Sequence, residues 1–507
     1  MNSEKVKTES TKFVVSCAVI NQHTMNQCFR GWICFLIVII SLSLTRCANI
    51  VPPGGGPRDT LPPLLLQVDP PDSSLHFKST KVRFYFDEYV ELDNVFDKMI
   101  VSPTLKRVPT VTSKLRTVTM EIKDTLQPNT TYTFNFSDAV KDVNERNPIV
   151  DFAYVVSTGD YLDSLQIKGR TINAETGKID SNVAVMLYRN HTDSVVSKEK
   201  PVYYARSKGN GSFWFKNLAP GDYKIFAIKE EDRDLQYTQP ATEAIAFVDS
   251  IIHLREENIN DIPMMLFIEE DSTLKKPEDQ TPQEEPSEDD KKKKKPRLQV
   301  GPVLDNNQQD LDTPLVLNFT IPLHTLDSSQ LHLAEDTIFR PVTFTSRLDS
   351  TRSKLTLSYK WKEGTPYRLI IDKTAATDTL NQQMTKADTI SFSSKKLSDY
   401  GKVLFRLKLS DSTTTALKGD TSVHFVIQLV KDKDVKYSGA VVNGSWTKGL
   451  IIPGEYEIRV LLDQNGNGKW DRGIYYRTPK RQPERVVSFP EKKNIKANWG
   501  IKEDLTL

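Results

Sequence analysis

The best candidate for metal chemistry in this sequence is the run Asp463-Gln464-Asn465-Gly466-Asn467-Gly468-Lys469-Trp470-Asp471. Asp463, Asn465, Asn467 and Asp471 stand at positions 1, 3, 5 and 9 of a loop with glycine at position 6, a calcium-loop spacing. Ca²⁺ takes six to eight oxygens in a tight turn, and glycine permits that turn. Position 12 is Ile474 instead of a bidentate acid, and only two of the four candidate ligands are carboxylates. The same residues suit a polar hairpin turn, because the strand-like Glu457–Leu462 runs straight into them. The corresponding stretch earlier in the chain, Lys229-Glu230-Glu231-Asp232-Arg233-Asp234, lacks the glycines.

Other chemistry is sparse. Asp138, Asp142 and Asp151 gather after a strand-like segment, where acids ordinarily cap turns. The seven histidines show no metal-binding spacing. No nucleophile elbow, P-loop or dinucleotide fingerprint occurs. With 66 acidic residues, a carboxylate pair for glycoside hydrolysis cannot be read from spacing, since the fold sets it. Phe213, Trp214, Tyr223 and Trp446 lie on alternating strands and read as sandwich core. Trp361, Trp470, Tyr475 and Tyr476 fall nearer turns, where core packing competes with stacking on a sugar. The chain reads as non-enzymatic, with no cofactor except Ca²⁺ at the Asp463 loop.

The elements that must position these residues are strands. Lys81–Phe86, Thr117–Ile122 and Thr131–Phe136 alternate polar and apolar side chains, as half-buried strands do. Leu126-Gln127-Pro128-Asn129-Thr130 and similar segments supply the turns. Short strands with regular turns predict an antiparallel β-sandwich. The set Pro-Pro-Asp, strand-Phe-Asp, Leu-x-Pro-Asn-Thr-x-Tyr-x-Phe-x-Phe and Ser-Thr-Gly resembles bacterial Ig-like domains of the SbsA type. The opening Cys47-Ala48-Asn49, with Pro-x-Gly-Gly-Pro-x-Asp-Thr-x-Pro-Pro, is similar to a Gram-negative family of Ig-like-domain lipoproteins. That resemblance covers roughly residues 47 to 250.

A second pattern follows. Gln166–Arg170 and Val183–Tyr188 precede Asn210-Gly211-Ser212-Phe213-Trp214-Phe215, and Pro220-Gly221-Asp222-Tyr223 turns into another strand. It resembles the CnaB-like, carboxypeptidase-regulatory-like sandwich of transthyretin topology. Residues 268–297 then break the composition with prolines, acids and the run Lys291–Lys295, and too few apolar groups to offset ordering entropy. The lysines read as a solvated linker or as a patch for anionic lipid.

Beyond the linker the first half returns. Phe319 lies 233 residues after Phe86, and Asn443-Gly444-Ser445-Trp446 lies 233 after Asn210-Gly211-Ser212-Phe213. Pro453-Gly454-Glu455-Tyr456 lies 233 after Pro220-Gly221-Asp222-Tyr223. Thr365–Ile370 answers to Thr130–Asn135. A period this long means a duplicated domain pair and not a solenoid. The expected organisation is a signal region at 1–46, a lipidated Cys47 with its tether at 47–63, and an Ig-like domain at 64–158. A CnaB-like sandwich at 159–267, the linker at 268–297, a diverged Ig-like copy at 298–395 and a diverged CnaB-like copy at 396–507 complete it. The fold class is all-β, tandem antiparallel sandwiches after one hydrophobic signal helix.

The chain's 507 residues carry a net charge of +2, so no global field draws nucleic acid. Charged residues are 26% and apolar ones 38%, as in ordinary globular domains. All four cysteines, Cys17, Cys28, Cys34 and Cys47, lie at or before residue 47, so no disulfide can form downstream. The apolar run Trp32–Leu44 spans roughly 20 Å as a helix, short of the ~30 Å hydrocarbon core and right for a signal peptide. Leu44-Thr45-Arg46-Cys47 resembles a bacterial lipobox, which implies acylation of Cys47, except that Arg46 stands where a small residue belongs. An uncleaved signal anchor and a plain secreted chain are the alternatives. Met25 opens a cleaner signal peptide than Met1. The resemblance places the protein in the cell envelope, as an outer membrane lipoprotein whose partner is an envelope protein or a glycan.

Overall fold

The computed structural model describes residues 58–230, 232, 234–269, 297–410 and 423–507. The signal region, Cys47, most of the tether and Lys291–Lys295 lie outside the described residues. Residues Pro62–Leu507 form one compact unit. It is all-β. Among the described residues the helices are single turns such as Val95–Lys98 and Val195–Lys198, and none is long and apolar enough to cross a membrane.

The first sandwich shows how alternation becomes a core. Lys81–Phe86 buries Val82, Phe84 and Phe86 and turns Lys81 and Arg83 outward. One sheet runs in the order Leu65–Asp69, Lys81–Phe86, Thr117–Glu121, Thr110–Lys114; the facing one is Ile100–Ser102, Thr131–Ser137, Phe152–Ser157. Between them Phe84 meets Phe136, Phe152 and Tyr154 edge-on, with centroids 5.4, 5.5 and 5.4 Å away, the geometry ring quadrupoles favour.

The second sandwich packs the sheet Ser212–Leu218, Leu165–Asn173, Ile259–Leu266 against Tyr203–Arg206, Ala184–Tyr188, Gly221–Lys229, Ala244–Phe247. Leu165–Asn173 and Ile259–Leu266 are parallel; the remaining pairs in both sheets are antiparallel. Every residue of Ala184–Tyr188 is buried, so this sheet is covered on both faces.

Residues 300–506 repeat these strand orders. Val300–Pro302, Leu315–Phe319, Lys354–Ser358, Thr345–Leu348 match the first sheet of the first sandwich. In the fourth sandwich Gly401–Lys408 lies between antiparallel Ser445–Ile451 and parallel Gly500–Thr506, as Leu165–Asn173 does in the second.

Small devices repeat too. Tyr132 Oη accepts the Gln127 N–H at 2.9 Å, and Tyr367 Oη accepts that of Lys362 at 3.0 Å. Tyr223 donates its hydroxyl to the Ala219 carbonyl at 2.7 Å, and Tyr456 to that of Ile452 at 2.8 Å. Each of the latter two ties a buried ring back across its Pro-Gly turn. Tyr456→Phe should therefore lower stability by about 1 kcal/mol with the fold intact, read as a shifted denaturant midpoint at constant slope.

Candidate functional site

The structure brings Asp463, Asn465, Asn467 and Asp471 into one loop at the end of the strand Gly454–Asp463. The buried Asp463 carboxylate accepts the N–H groups of Gly466 and Gly468, each at 2.7 Å. Those glycines have φ of 72° and 76°, the left-handed region glycine enters freely. Asn465 Nδ2 and Asn467 Nδ2 both donate to Asp471 Oδ2 at 2.6 Å. The loop thus closes on itself as a polar hairpin. The two amide oxygens accept the N–H groups of Asn467 at 3.0 Å and Lys469 at 2.7 Å, which fixes both amides in this orientation.

Glu484 is the member that spacing did not reveal. It is buried, and its carboxylate accepts the N–H groups of Gln464 at 2.9 Å and Asp471 at 3.0 Å. It immediately precedes Arg485–Ser488, whose Arg485 pairs with Leu462. An acid at that junction faces the loop by register, which was the available signal.

Between Asp471 and Glu484 the chain forms an arm that reaches the second sandwich. Tyr475, 4% exposed, enters the apolar face formed by Met186, Tyr188, Phe226, Phe247 and Phe267. Its ring lies 4.9 Å from Phe247 and 5.5 Å from Phe226, and Lys480 Nζ sits 3.6 Å over it. Burial pushes the Tyr475 phenol well above its usual range. Burial also pushes the Lys480 ammonium down, opposed by Asp193 at 3.1 Å. Glu269 Oε1 accepts the N–H of Tyr475 at 2.7 Å and of Tyr476 at 3.0 Å. Gly473 leaves room for Phe267, whose ring a Cβ there would meet at 2.5 Å. Alongside, Lys178 and Glu457 pair at 2.6 Å.

Among the other candidate residues, only Trp214 departs from its expected placement. Trp361 is core, ringed by Tyr359, Tyr367 and Phe392 and donating to the Thr313 carbonyl at 2.9 Å. Trp470 is half-buried against the apolar core and donates to the Glu484 carbonyl at 2.8 Å. Of the turn aromatics, Tyr476 alone is exposed, at 69%. Trp214, expected in the core, is 42% exposed, because Phe213 and Phe215 take the inward positions on either side. Lys168 and Lys216 lie 4.4 and 3.8 Å from its ring centre. Asp138, Asp142 and Asp151 form no metal group among the described residues. Asp142 caps a turn by accepting three N–H groups, Asp138 pairs with Lys98 at 3.1 Å, and Asp151 with Lys208 at 2.6 Å.

The first and second sandwiches meet around a cleft of about 650 Å³ that includes Thr133, Asn135, Ser137, Lys208 and Lys216 in its walls.

Residues 59–158, the first sandwich, match the family of bacterial Ig-like domains. No curated protein matches the chain. Among solved structures, native alpha-2-macroglobulin from Escherichia coli, domains MG0-NIE-MG1, is 15% identical, with 38% of this chain and 71% of that one covered and a TM-score of 0.18. BcpA, the major pilin subunit of Bacillus cereus, is 8% identical over 68% and 98% of the two chains, TM-score 0.16. The major pilin SpaD from Corynebacterium diphtheriae is 10% identical over 68% and 97%, TM-score 0.14. At such identities and scores these likenesses carry no argument about activity.

Proposed function

We propose that the chain is a non-enzymatic envelope lipoprotein, a lipid-moored series of sandwiches with a structural or protein-binding role at the outer membrane. The observation that carries this reading is a bacterial Ig-like domain beginning directly after Cys47 and its Pro/Gly string. An acyl chain contributes about 0.8 kcal/mol per buried CH₂, and two chains hold a protein stably at a bilayer. The cleft between the first two sandwiches, walled by Val150, Val155 and Trp214 as well as by hydroxyls, an amide and lysines, suits a protein segment that carries both apolar and polar side chains. The glycan alternative retains Tyr476 as an exposed stacking ring. The Asp463 loop belongs to the same proposal as a polar turn with Ca²⁺ as its alternative ligand.

Metabolic labelling with a palmitate analogue tests the anchor. Wild type is expected to take up label and Cys47→Ala to lose it; label retained in Cys47→Ala overturns lipidation at this residue. Cross-linked pull-down from envelope extract, run beside a glycan array, separates the protein partner from the sugar.

A further inference from the structure

The second sandwich holds a counterpart of the Asp463 loop with different chemistry. Lys229 pairs with Ala244 as Leu462 pairs with Arg485. This register sets Glu230 in the place of Asp463, and Glu243 in the place of Glu484. Glu230 Oε2 accepts the N–H of Leu235, five residues on, at 2.8 Å, as Asp463 accepts that of Gly468. Glu243 Oε2 accepts the N–H groups of Thr238 and Gln239 at 2.9 and 2.8 Å. Where the fourth sandwich has the amides Asn465 and Asn467, the second has the carboxylates Asp232 and Asp234.

Glu230, Asp232 and Asp234 each bring a carboxylate oxygen within 4.8 Å of the other two. Two oxygens on one Ca²⁺, each at about 2.4 Å, are at most about 4.8 Å apart, so the three lie close enough to converge on one ion with small side-chain movements. Asp232 and Glu243 line one cavity of about 300 Å³ with Gln239 and Thr242. Two buried oxygens have room for a further electrophilic partner. Glu230 Oε1 and Glu243 Oε1 are shut off from solvent and accept no hydrogen bond. The Glu230 side chain is 1% exposed, and its ion pair with Arg206 is long, 3.7 Å from the guanidinium to Oε1, beyond hydrogen-bond reach. The neighbouring Lys229 is engaged by Asp180 at 2.5 Å. Buried carboxylates are ordinarily paired or bound to metal.

We propose that Glu230, Asp232 and Asp234, with Glu243 in the cavity wall, bind a divalent cation, and specifically Ca²⁺. The donors are hard oxygens with no imidazole or thiolate, which selects Ca²⁺ or Mg²⁺ over zinc or copper. An irregular loop suits the flexible coordination of Ca²⁺ better than the strict octahedron of Mg²⁺. The loop also carries Tyr237, whose hydroxyl donates to Glu269 Oε2 at 2.9 Å and whose ring lies 6.2 Å from that of Tyr475. A bound ion would therefore steady the seat into which the arm of the fourth sandwich docks.

Calorimetric titration of the chelator-stripped full chain with CaCl₂ tests this. The double variant Asp232→Asn/Asp234→Asn is expected to bind at least tenfold more weakly at this site, while Asp463→Asn leaves the same binding event in place. Circular dichroism matching wild type certifies that the double variant folds. Glu230→Gln supplies an independent readout. It should keep the wild-type circular dichroism, and the Ca²⁺-induced rise in Tm should vanish. Unchanged affinity in the double variant, or no heat and no Tm rise in wild type at millimolar Ca²⁺, overturns the proposal.

Discussion

Tyr475→Ala is expected to uncouple the second and fourth sandwiches. The substitution empties the space bounded by Phe226, Tyr237 and Phe247 and removes the hydroxyl that donates to the Asp193 carbonyl. Replacing a large buried ring by alanine costs about 3–5 kcal/mol. Here the loss falls on a contact between domains, so each sandwich should keep its own core. Scanning calorimetry should show a wild-type transition shared by the two sandwiches, resolved into two in the variant. An environment-sensitive dye should bind the newly bared face of Met186, Tyr188 and Phe226. Tyr475→Phe keeps the ring and should cost about 1 kcal/mol. A Tyr475→Ala chain with unaltered melting and no dye binding would show that the arm does not hold the sandwiches together.

Phe84→Ala should have an effect of similar size confined to the first sandwich. The ring is fully buried and packs on Phe136, Phe152 and Tyr154, so the cost is again about 3–5 kcal/mol. A domain of this size has a total stability of about 5–15 kcal/mol. No cysteine follows Cys47, so no disulfide can limit the opening. Limited proteolysis should cut within residues 65–157 at low protease and leave residues 165–269 resistant. Equal resistance of both regions in the variant would mean that this ring is not central to the core.

The strands were legible because their partners imposed a simple period. Lys81–Phe86 alternates in sequence and in burial alike. The same rule, applied strictly, would have turned Trp214 outward between Phe213 and Phe215; size and aromaticity outweighed period in that expectation. For Trp361 core packing and sugar stacking were both open, and it takes the core. It lies beyond the end of the alternating strand Lys354–Ser358, and it turns back into the core to reach Thr313. The uninterrupted apolar run Val183–Tyr188 is the mark of a sheet covered on both faces, recognised only in the structure, and it does not say what covers it. Tyr475 supplies part of that cover from far along the chain, and nothing in local spacing encodes such a meeting. The Asp463 loop was legible through its glycines. Its counterpart at Glu230 was passed over because those glycines are lacking, although its carboxylates are the more concentrated charge. Glu243 and Glu484 became recognisable only through the strand pairing that sets each beside its loop.

The parallel pairing inside the second sandwich has a mechanical consequence. Leu165–Asn173 and Ile259–Leu266 are neighbours that run the same way, joined from Ile167 opposite Ile259 to Asn173 opposite Leu266. Tension applied between Leu165 and Leu266 pulls the two strands lengthwise past each other. It strains the evenly spaced bonds of a parallel ladder together, whereas a hairpin pulled at its open end unzips one rung at a time. A protein moored on one side and loaded on the other would thus meet the load in shear, the direction in which a sheet resists best.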